Sequence, residues 1–299
     1  MTEVDLLPAG VYVLAVSGGI DSVVLLDMLA KQPQLELIVA HVNHGIRPDS
    51  GEDAVFVQQL AKKYGCRYEA TSLQLGASAS EEQAREARYA FLKKVQRRHA
   101  AKAIITAHHA DDVVETILIN LIRGTGWRGL CSLRSEGGLV RPLLNVYKQE
   151  IAAYAKKHRL GWREDSTNQS NHYLRNYIRL QLLPKLLLSD PRLKAKLHNL
   201  WQQQCMLRGK IEAEIEGLYQ HIADRTGLKR AAFEQLEPAI ADEILRHYLL
   251  KQGVRQTIPQ RRRALQFAHT ALNTKKFSLN SETFLQLRRD HIVVVKVKN

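Results

Sequence analysis

The chain has 299 residues, enough for one large domain and a smaller one, and its 45% apolar and 25% charged content is that of a globular protein. Forty-four Lys and Arg against thirty Asp and Glu leave a net charge of +14, which suggests a polyanionic partner, nucleic acid before anionic membrane. Cys66, Cys131 and Cys205 form no paired motif and speak against a disulfide framework or zinc site; without a leader or an apolar run of membrane-spanning length, a cytoplasmic location is expected.

Apolar runs at 11–16, 35–42, 67–73 and 102–109 read as strands, and helical spacing over 21–31, 51–64, 80–99 and 111–123 separates them. This alternation implies right-handed crossovers and an α/β fold with a parallel sheet covered on both faces. An apolar stretch at 139–144, followed by a helix-like one at 148–158, offers the sheet a fifth strand. From 171 to 211 the only acidic residue is Asp190, set among Arg175, Arg179, Lys185, Arg192, Lys194, Lys196, Arg208 and Lys210, with leucines at helical spacing and a break around SDPR. The organisation expected is a first domain over 1–183, a basic helical connector over 184–214 and a smaller α+β domain over 215–299. The last opens with helices at 229–252 and 259–272 and closes with strand-like FSL and HIVVVKV, the latter rich in β-branched residues.

The first strand runs into Ser17-Gly18-Gly19-Ile20-Asp21-Ser22, and helical spacing resumes at Asp21. A loop at a strand's carboxyl end and a helix N-terminus offers unpaired amides and the positive end of the dipole to an anion. The glycines let backbone approach a phosphate closely, and Ser17 and Ser22 add hydroxyl donors. The loop is neither GxxxxGK[ST] nor GxGxxG. A bare Gly-Gly turn is more often just the start of a helix, capped by Ser17 or Asp21; the hexapeptide in its strand–loop–helix context favours a nucleotide site.

Asp112 and Glu115 are three residues apart at a helix start and share a face toward the sheet's carboxyl edge. Beside a phosphate loop they suggest Mg²⁺ coordination or capture of an ammonium group, against the plainer reading of acids complementing the dipole. His108 and His109 precede them and, without cysteine partners, favour Mg²⁺ over a transition metal. Arg85 is spaced to pair with Glu81 or Glu82, and Arg88 follows on the same helix. RGTGWRGL (123–130) reads as a glycine-rich loop in which Trp127 either stacks on a base or anchors the loop.

SGGIDS after the first strand resembles the PP-loop of the N-type ATP pyrophosphatases, whose fold is adenine nucleotide alpha hydrolase-like. HVNHGIRPDSGED (41–53), AREARYAFL (84–92), AHHADDVVETILINLIRGTGWRGL (107–130) and EDSTNQSNHYLRNYIR (164–179) resemble, in order and spacing, segments of the tRNA(Ile)-lysidine synthetase family. The resemblance spans about residues 11–183, and the helical part of 229–272 is similar to that family's first C-terminal domain, which implies tRNA binding by 215–299. It implies ATP-dependent ligation of lysine to C2 of the wobble cytidine of tRNA(Ile) with a CAU anticodon. An O2-adenylated cytidine forms as pyrophosphate leaves, and AMP leaves when the lysine amine attacks. On this reading Asp21, Arg88, Asp112 and Glu115 are catalytic, and Ser17, Gly18, Gly19, Ile20, Asp21, Ser22 and His41 bind ATP. Asp21 and Asp112 hold Mg²⁺, while Arg123, Arg128, Arg175, Arg179 and Arg208 contact RNA. The partners implied are tRNA(Ile) and L-lysine, with no membrane and a homodimer left open. The alternatives are a PP-loop tRNA thiolase, which needs sulfur-handling cysteines, and a non-catalytic tRNA-binding module.

Overall fold

The apolar runs of the first half pair as parallel strands. β1 (Gly10–Ala15) lies between β2 (Leu35–Asn43) and β4 (Ala103–Ile105), with β3 (Arg67–Ser72) and β5 (Leu139–Val140) outside them, in the order β3-β2-β1-β4-β5. The computed structural model describes residues 4–43, 50–73, 81–163 and 174–297, and divides into two compact units, Met1–Cys205 and Met206–Asn299. Parts of the motifs at 41–53 and 164–179 therefore lie outside the described residues.

The connecting helices are α1 (Ile20–Ala30), α2 (Ser50–Lys63), α3 (Glu81–Arg98), α4 (Ala110–Ile122), the short α5 (Trp127–Leu130) and α6 (Lys148–Lys157). The expected α/β architecture holds, and strand alternation explains why both faces need cover. Leu14 and Val39 enter a core with Leu25, Leu29 and Ile151, while Val13 and Ile38 face Leu92 and Val95 on the other side. The chain moves from β1 outward to β3 and then returns to β4 beside β1. The order thus reverses between β1 and β4, and a crevice opens at their carboxyl ends.

Two strands are shorter than their sequence patterns. The run 102–109 is strand only at Ala103–Ile105, because the chain must then turn into α4. The run 139–144 contributes only Leu139–Val140. Arg141 N–H is diverted to Ser135 Oγ at 2.9 Å, and Pro142 has no amide to donate to a ladder.

One buried charge sits in the first core. Asp27, 6% exposed, accepts hydrogen bonds from Lys31 Nζ (2.6 Å), Tyr154 Oη (2.7 Å) and Tyr64 Oη (2.8 Å). Burial alone would raise its pKa, but these three partners outweigh burial and hold the carboxyl below its ordinary value. A depressed folded-state pKa stabilises the fold above the unfolded value and ceases to do so as pH falls through the folded one. Asp27→Asn is expected to cost about 1–3 kcal/mol at neutral pH. The gap from wild type should shrink below about pH 4, as denaturant titrations at several pH values would show.

The basic stretch forms α7 (Leu174–Tyr177), one π-helical turn (Ile178–Leu182), α8 (Leu183–Ser189) and α9 (Leu193–Ile222). Pro184, lacking an amide proton, cannot donate back into the preceding turn, which favours the wider winding there. The break expected around SDPR falls between α8 and α9.

In the second unit, β6 (Leu228–Lys229) and α10 (Arg230–Glu234) precede α11 (Pro238–Lys251) and α12 (Ile258–Thr270). β7 (Lys276–Ser278), β8 (Thr283–Leu287) and β9 (His291–Lys296) then complete an antiparallel sheet of order β6-β9-β8-β7. The expected helix 229–252 is divided because Pro238 takes a first-turn position and starts a new helix. β8 was not expected, although Thr283, Leu285 and Leu287 are buried in the alternation a half-buried strand requires. Among the described residues no helix is long and apolar enough to cross a membrane.

Candidate active site

At the end of β1 the chain turns through Ser17-Gly18-Gly19 into α1. Gly18 has φ +93°, a conformation that strains any L side chain, and its carbonyl accepts Arg163 N–H at 3.0 Å. Ser17 N–H donates to Ser22 Oγ (3.2 Å), Ser22 Oγ–H to Gly19 O (2.9 Å), and Gly19 N–H to Ser17 Oγ (3.3 Å). The loop is therefore held open by its own serines. The amides of Ile20, Asp21 and Ser22 lie ahead of the first intrahelical bond, Val23 N–H to Gly19 O, so the helix itself gives them no acceptor. Gly18→Ala would place an L residue where it costs about 1–3 kcal/mol to hold. Nucleotide affinity of that variant, read by isothermal titration with ATP, is expected to fall roughly 10- to 100-fold.

This loop floors a cavity of about 290 Å³. Ser17, Asp21 and Ser22 line one side, Ala40 and Val42 the end of β2, Arg88 and Leu92 the α3 side, and His108 and Asp112 the α4 side. The predicted residues Ser17, Asp21, Ser22, Arg88 and Asp112 thus share one cavity. His41 lies beneath it. The ring is 3% exposed and Nδ1–H donates to Val16 O at 2.8 Å, fixing the end of β2 to the end of β1. Burial pushes its pKa down, so the imidazole is neutral and Nε2 carries the lone pair.

Around α4 the charges are densely paired. Asp21 is bonded by Lys148 Nζ at 2.6 and 2.8 Å. The buried His109 ring stands 3.9 Å from Asp21, 3.8 Å from Asp111 and 3.5 Å from Asp112. Asp111, which sequence reasoning passed over, accepts Lys148 N–H (2.8 Å) and Lys194 Nζ (2.6 Å), so it ties α6 and α9 to the start of α4. Asp112 accepts His109 N–H at 2.9 Å, with Arg175 Nη2 at 3.4 Å. Burial would raise its pKa, but His109 and Arg175 reverse the shift and keep it ionised.

Glu115, 2% exposed, does not line the cavity. Arg175 Nε reaches its Oε2 at 2.9 Å, while Arg179 Nε and Nη2 take Oε1 and Oε2 at 2.6 and 3.0 Å. Residues expected to meet RNA phosphate therefore clamp the α4 carboxylates. Burial would lower the Arg179 pKa, yet Glu115, Asp112 and Asp21 raise it, so its charge is secure. Arg123 is exposed at the end of α4, and the Arg128 guanidinium lies 4.4 Å from the Trp127 ring centre, which gives that indole an intramolecular partner. Arg208 belongs to the second unit, where it pairs with Glu212 at 2.9 Å.

His108 bonds Thr106 Oγ1 through Nδ1 at 2.9 Å. Burial first, then Arg141, Arg175 and Arg85, against Asp112, push its pKa down to about 3, so it is neutral. Its ring also lines a second cavity of about 500 Å³ with Arg85, Asn120, Arg141 and Arg175. Lys148 and Arg141 were missed because each is a lone basic residue in sequence; only Lys148's place at the start of a helix opposite the loop reveals its role.

The chain has counterparts among known proteins. The family described as the PP-loop domain matches residues 4–186. Proteins named tRNA(Ile)-lysidine synthase are similar. That of Enterococcus faecalis is 36% identical over 70% of this chain and 47% of its own length, that of Thermus thermophilus 39% over 71% and 42%, and that of Alkalilimnicola ehrlichii 34% over 83% and 58%. The chain spans about half the length of the curated relatives it matches. A solved structure of the U34-tRNA thiolase NcsA from Methanococcus maripaludis with its [4Fe-4S] cluster shares the fold, with TM-score 0.55 and 21% identity, covering 66% of this chain and 72% of that one.

Proposed function

Because the chain belongs to the PP-loop domain family, we propose that it is an ATP-using ligase that attaches lysine to the wobble cytidine of a tRNA(Ile). The observation that carries this reading is the juxtaposition, in one cavity, of the SGGIDS loop with Arg88 and an ionised Asp112. The names of the similar proteins supply the substrate class. The cysteines of the chain, all free, do not form the paired motif a thiolase would use.

In the first step cytidine O2 attacks the α-phosphate of ATP, and pyrophosphate departs toward the amides and serine hydroxyls of the loop. Arg88, on the opposite wall, stabilises the charge growing on the α-phosphoryl group. In the second step the lysine ε-ammonium gives a proton to Asp112, the neutral amine attacks C2, and the C2–O2 bond breaks so that AMP leaves carrying O2. The incoming ammonium is held by Asp112, whose carboxylate is maintained at neutral pH. Glu115 acts through the two arginines it orients. His108 stays neutral and lends the wall a hydrogen-bonding ring without adding positive charge.

Asp21 already holds a cation, the Lys148 ammonium, at 2.6 Å, and Asp112 faces the same cavity, so the residues present fit a Mg²⁺ ion that arrives with the triphosphate. Such an ion would neutralise phosphate charge. Lys148, displaced from Asp21, would remain near enough to pair with a phosphate oxygen. The unit 206–299 is assigned a tRNA-binding role.

The reading is tested with purified protein, ATP, labelled lysine and transcripts of the isoleucine and methionine tRNAs that share the CAU anticodon. Label is expected in the isoleucine tRNA, with pyrophosphate release that requires tRNA. Binding of tRNA without either product would overturn the ligase reading.

A further inference from the structure

One bond of the phosphate loop comes from far along the chain. Gly18 O accepts the main-chain N–H of Arg163, which follows α6, at 3.0 Å. The serine bonds close the loop between Ser17 and Ser22, and the start of α1 sets the amides of Ile20, Asp21 and Ser22. The peptide between Gly18 and Gly19 is held from within by a long bond, Gly19 N–H to Ser17 Oγ at 3.3 Å. Glycines flank that peptide on both sides, so turning it over meets little steric resistance. In a trans peptide the C=O and N–H point in opposite directions. With Gly18 O on Arg163, Gly19 N–H is turned toward Ser17 and the cavity that Ser17 lines. The turned-over peptide would put a carbonyl oxygen in that place and set Gly19 N–H against Arg163 N–H, donor to donor.

Arg163 is itself anchored. Its Nε pairs with Asp53 Oδ1 and its Nη2 with Glu52 Oε2 at 2.8 Å, both carboxylates lying in the first turn of α2. Asp53 precedes Phe56 and Val57 at i,i+3 and i,i+4 spacing, so the three share one face of the helix. That face carries the loop: a Cβ on Gly18 would stand 3.4 Å from Val57 Cγ2 and 3.5 Å from Phe56 Cδ1. Gly18 is therefore gripped between α2 and the Arg163 main chain, and the guanidinium ties the two together.

We propose that Arg163 is a positioning residue for the nucleotide, holding the Gly18–Gly19 peptide so that the loop offers a triphosphate an N–H donor in place of a carbonyl oxygen. This deepens the ligase reading and rests on the loop as its phosphate site. The guanidinium does not meet the phosphate; Glu52 and Asp53 take up its charge on α2.

Two ligands and two variants of the full chain test it. Isothermal titration compares ATP with adenosine, which lacks the phosphates. Arg163→Pro removes the amide that holds Gly18 O and is expected to weaken ATP roughly 10- to 100-fold, as for loss of a hydrogen bond to a charged group. Arg163→Gln keeps the amide but frees it from α2, and should weaken ATP roughly 3- to 10-fold. Adenosine should bind both variants as it binds wild type. In steady state the KM for ATP should rise while those for lysine and tRNA do not. Unchanged ATP affinity in Arg163→Pro would overturn the proposal. So would equal losses for ATP and adenosine, the mark of a general distortion. A loss in Arg163→Gln as large as in Arg163→Pro would do the same, because it marks a guanidinium that meets the phosphate itself. If Arg163→Pro does not fold, amide exchange at residue 163 takes its place. Arg163→Gln must then speed that exchange and weaken ATP together, and weaker ATP binding with exchange unchanged rejects the brace. If wild type binds no ATP, the ligase reading has failed. Protection at residue 163 that Arg163→Gln removes still supports the brace, and an unprotected amide there rejects it.

Discussion

Asp112→Asn is expected to lower lysine transfer by about 10²- to 10⁴-fold, the range associated with loss of a positioned proton-handling group. The substitution is nearly isosteric, and asparagine Oδ1 can still accept His109 N–H, so the start of α4 should keep its shape. What disappears is the negative charge that faces the cavity opposite Asp21 and Arg88. The adenylation step leans on the loop amides and on Arg88, so tRNA-dependent pyrophosphate release should fall far less than lysine transfer. The two are read separately, by a pyrophosphate-release assay without lysine and by label incorporation with it. An Asp112→Asn protein that transfers lysine within tenfold of wild type would remove this carboxylate from the mechanism. The pH profile gives a second reading. Asp112 is held below its ordinary pKa, so through the neutral range it stays charged and contributes no titration. The rate should therefore rise with pH as the free amine of lysine becomes available, and the acidic limb should lie below about pH 4.

Legibility in the sequence followed the range of the interactions. The loop could be read because its causes are local. A strand end, two glycines and two serines within six residues suffice to set Gly18 at φ +93° and to aim the amides outward. The parallel sheet was readable for the same reason, since alternation of short apolar runs and helices restricts the topology. Strand ends were not readable where a single side-chain bond or proline stopped the ladder, as at Arg141 and Pro142. Asp111 illustrates the other limit. In sequence it looks like the twin of Asp112, yet its partners Lys148 and Lys194 are 37 and 83 residues away. Arg175 and Arg179 were recognised as functional residues of a basic stretch. Which anion each meets depends on α7 and the π turn crossing α4, and helical spacing carries no record of that crossing.

Glu115→Gln is expected to cost about 3–5 kcal/mol of stability, because it leaves buried charge without its counter-ion. Glu115 is 2% exposed, while the Arg175 and Arg179 side chains keep 25% and 36% of their surface. The glutamate cannot regain solvent, and its removal leaves two guanidinium groups converging on a neutral amide. Asp112, at 3.4 and 3.6 Å, would be the nearer carboxylate left to balance them, with Asp21 acting on Arg179 from farther away. A matched pair of changes separates this electrostatic cost from packing. Glu115→Leu with Arg179→Met replaces one of the two ion pairs by apolar contact and should recover part of the lost stability in urea titrations, because a well-packed apolar pair avoids desolvating charge while Arg175 keeps Asp112 at 3.4 Å. If Glu115→Gln is instead within about 0.5 kcal/mol of wild type, the clamp is not structural and the arginines are free to leave it. The double variant also isolates function. Once folded, it lacks the group that orients Arg175 beside Asp112, so a remaining defect in lysine transfer would report the loss of that orientation rather than a loss of fold. Retained transfer would mean that Asp112 works without the clamp, and that the two arginines serve the stability of α4 against α7.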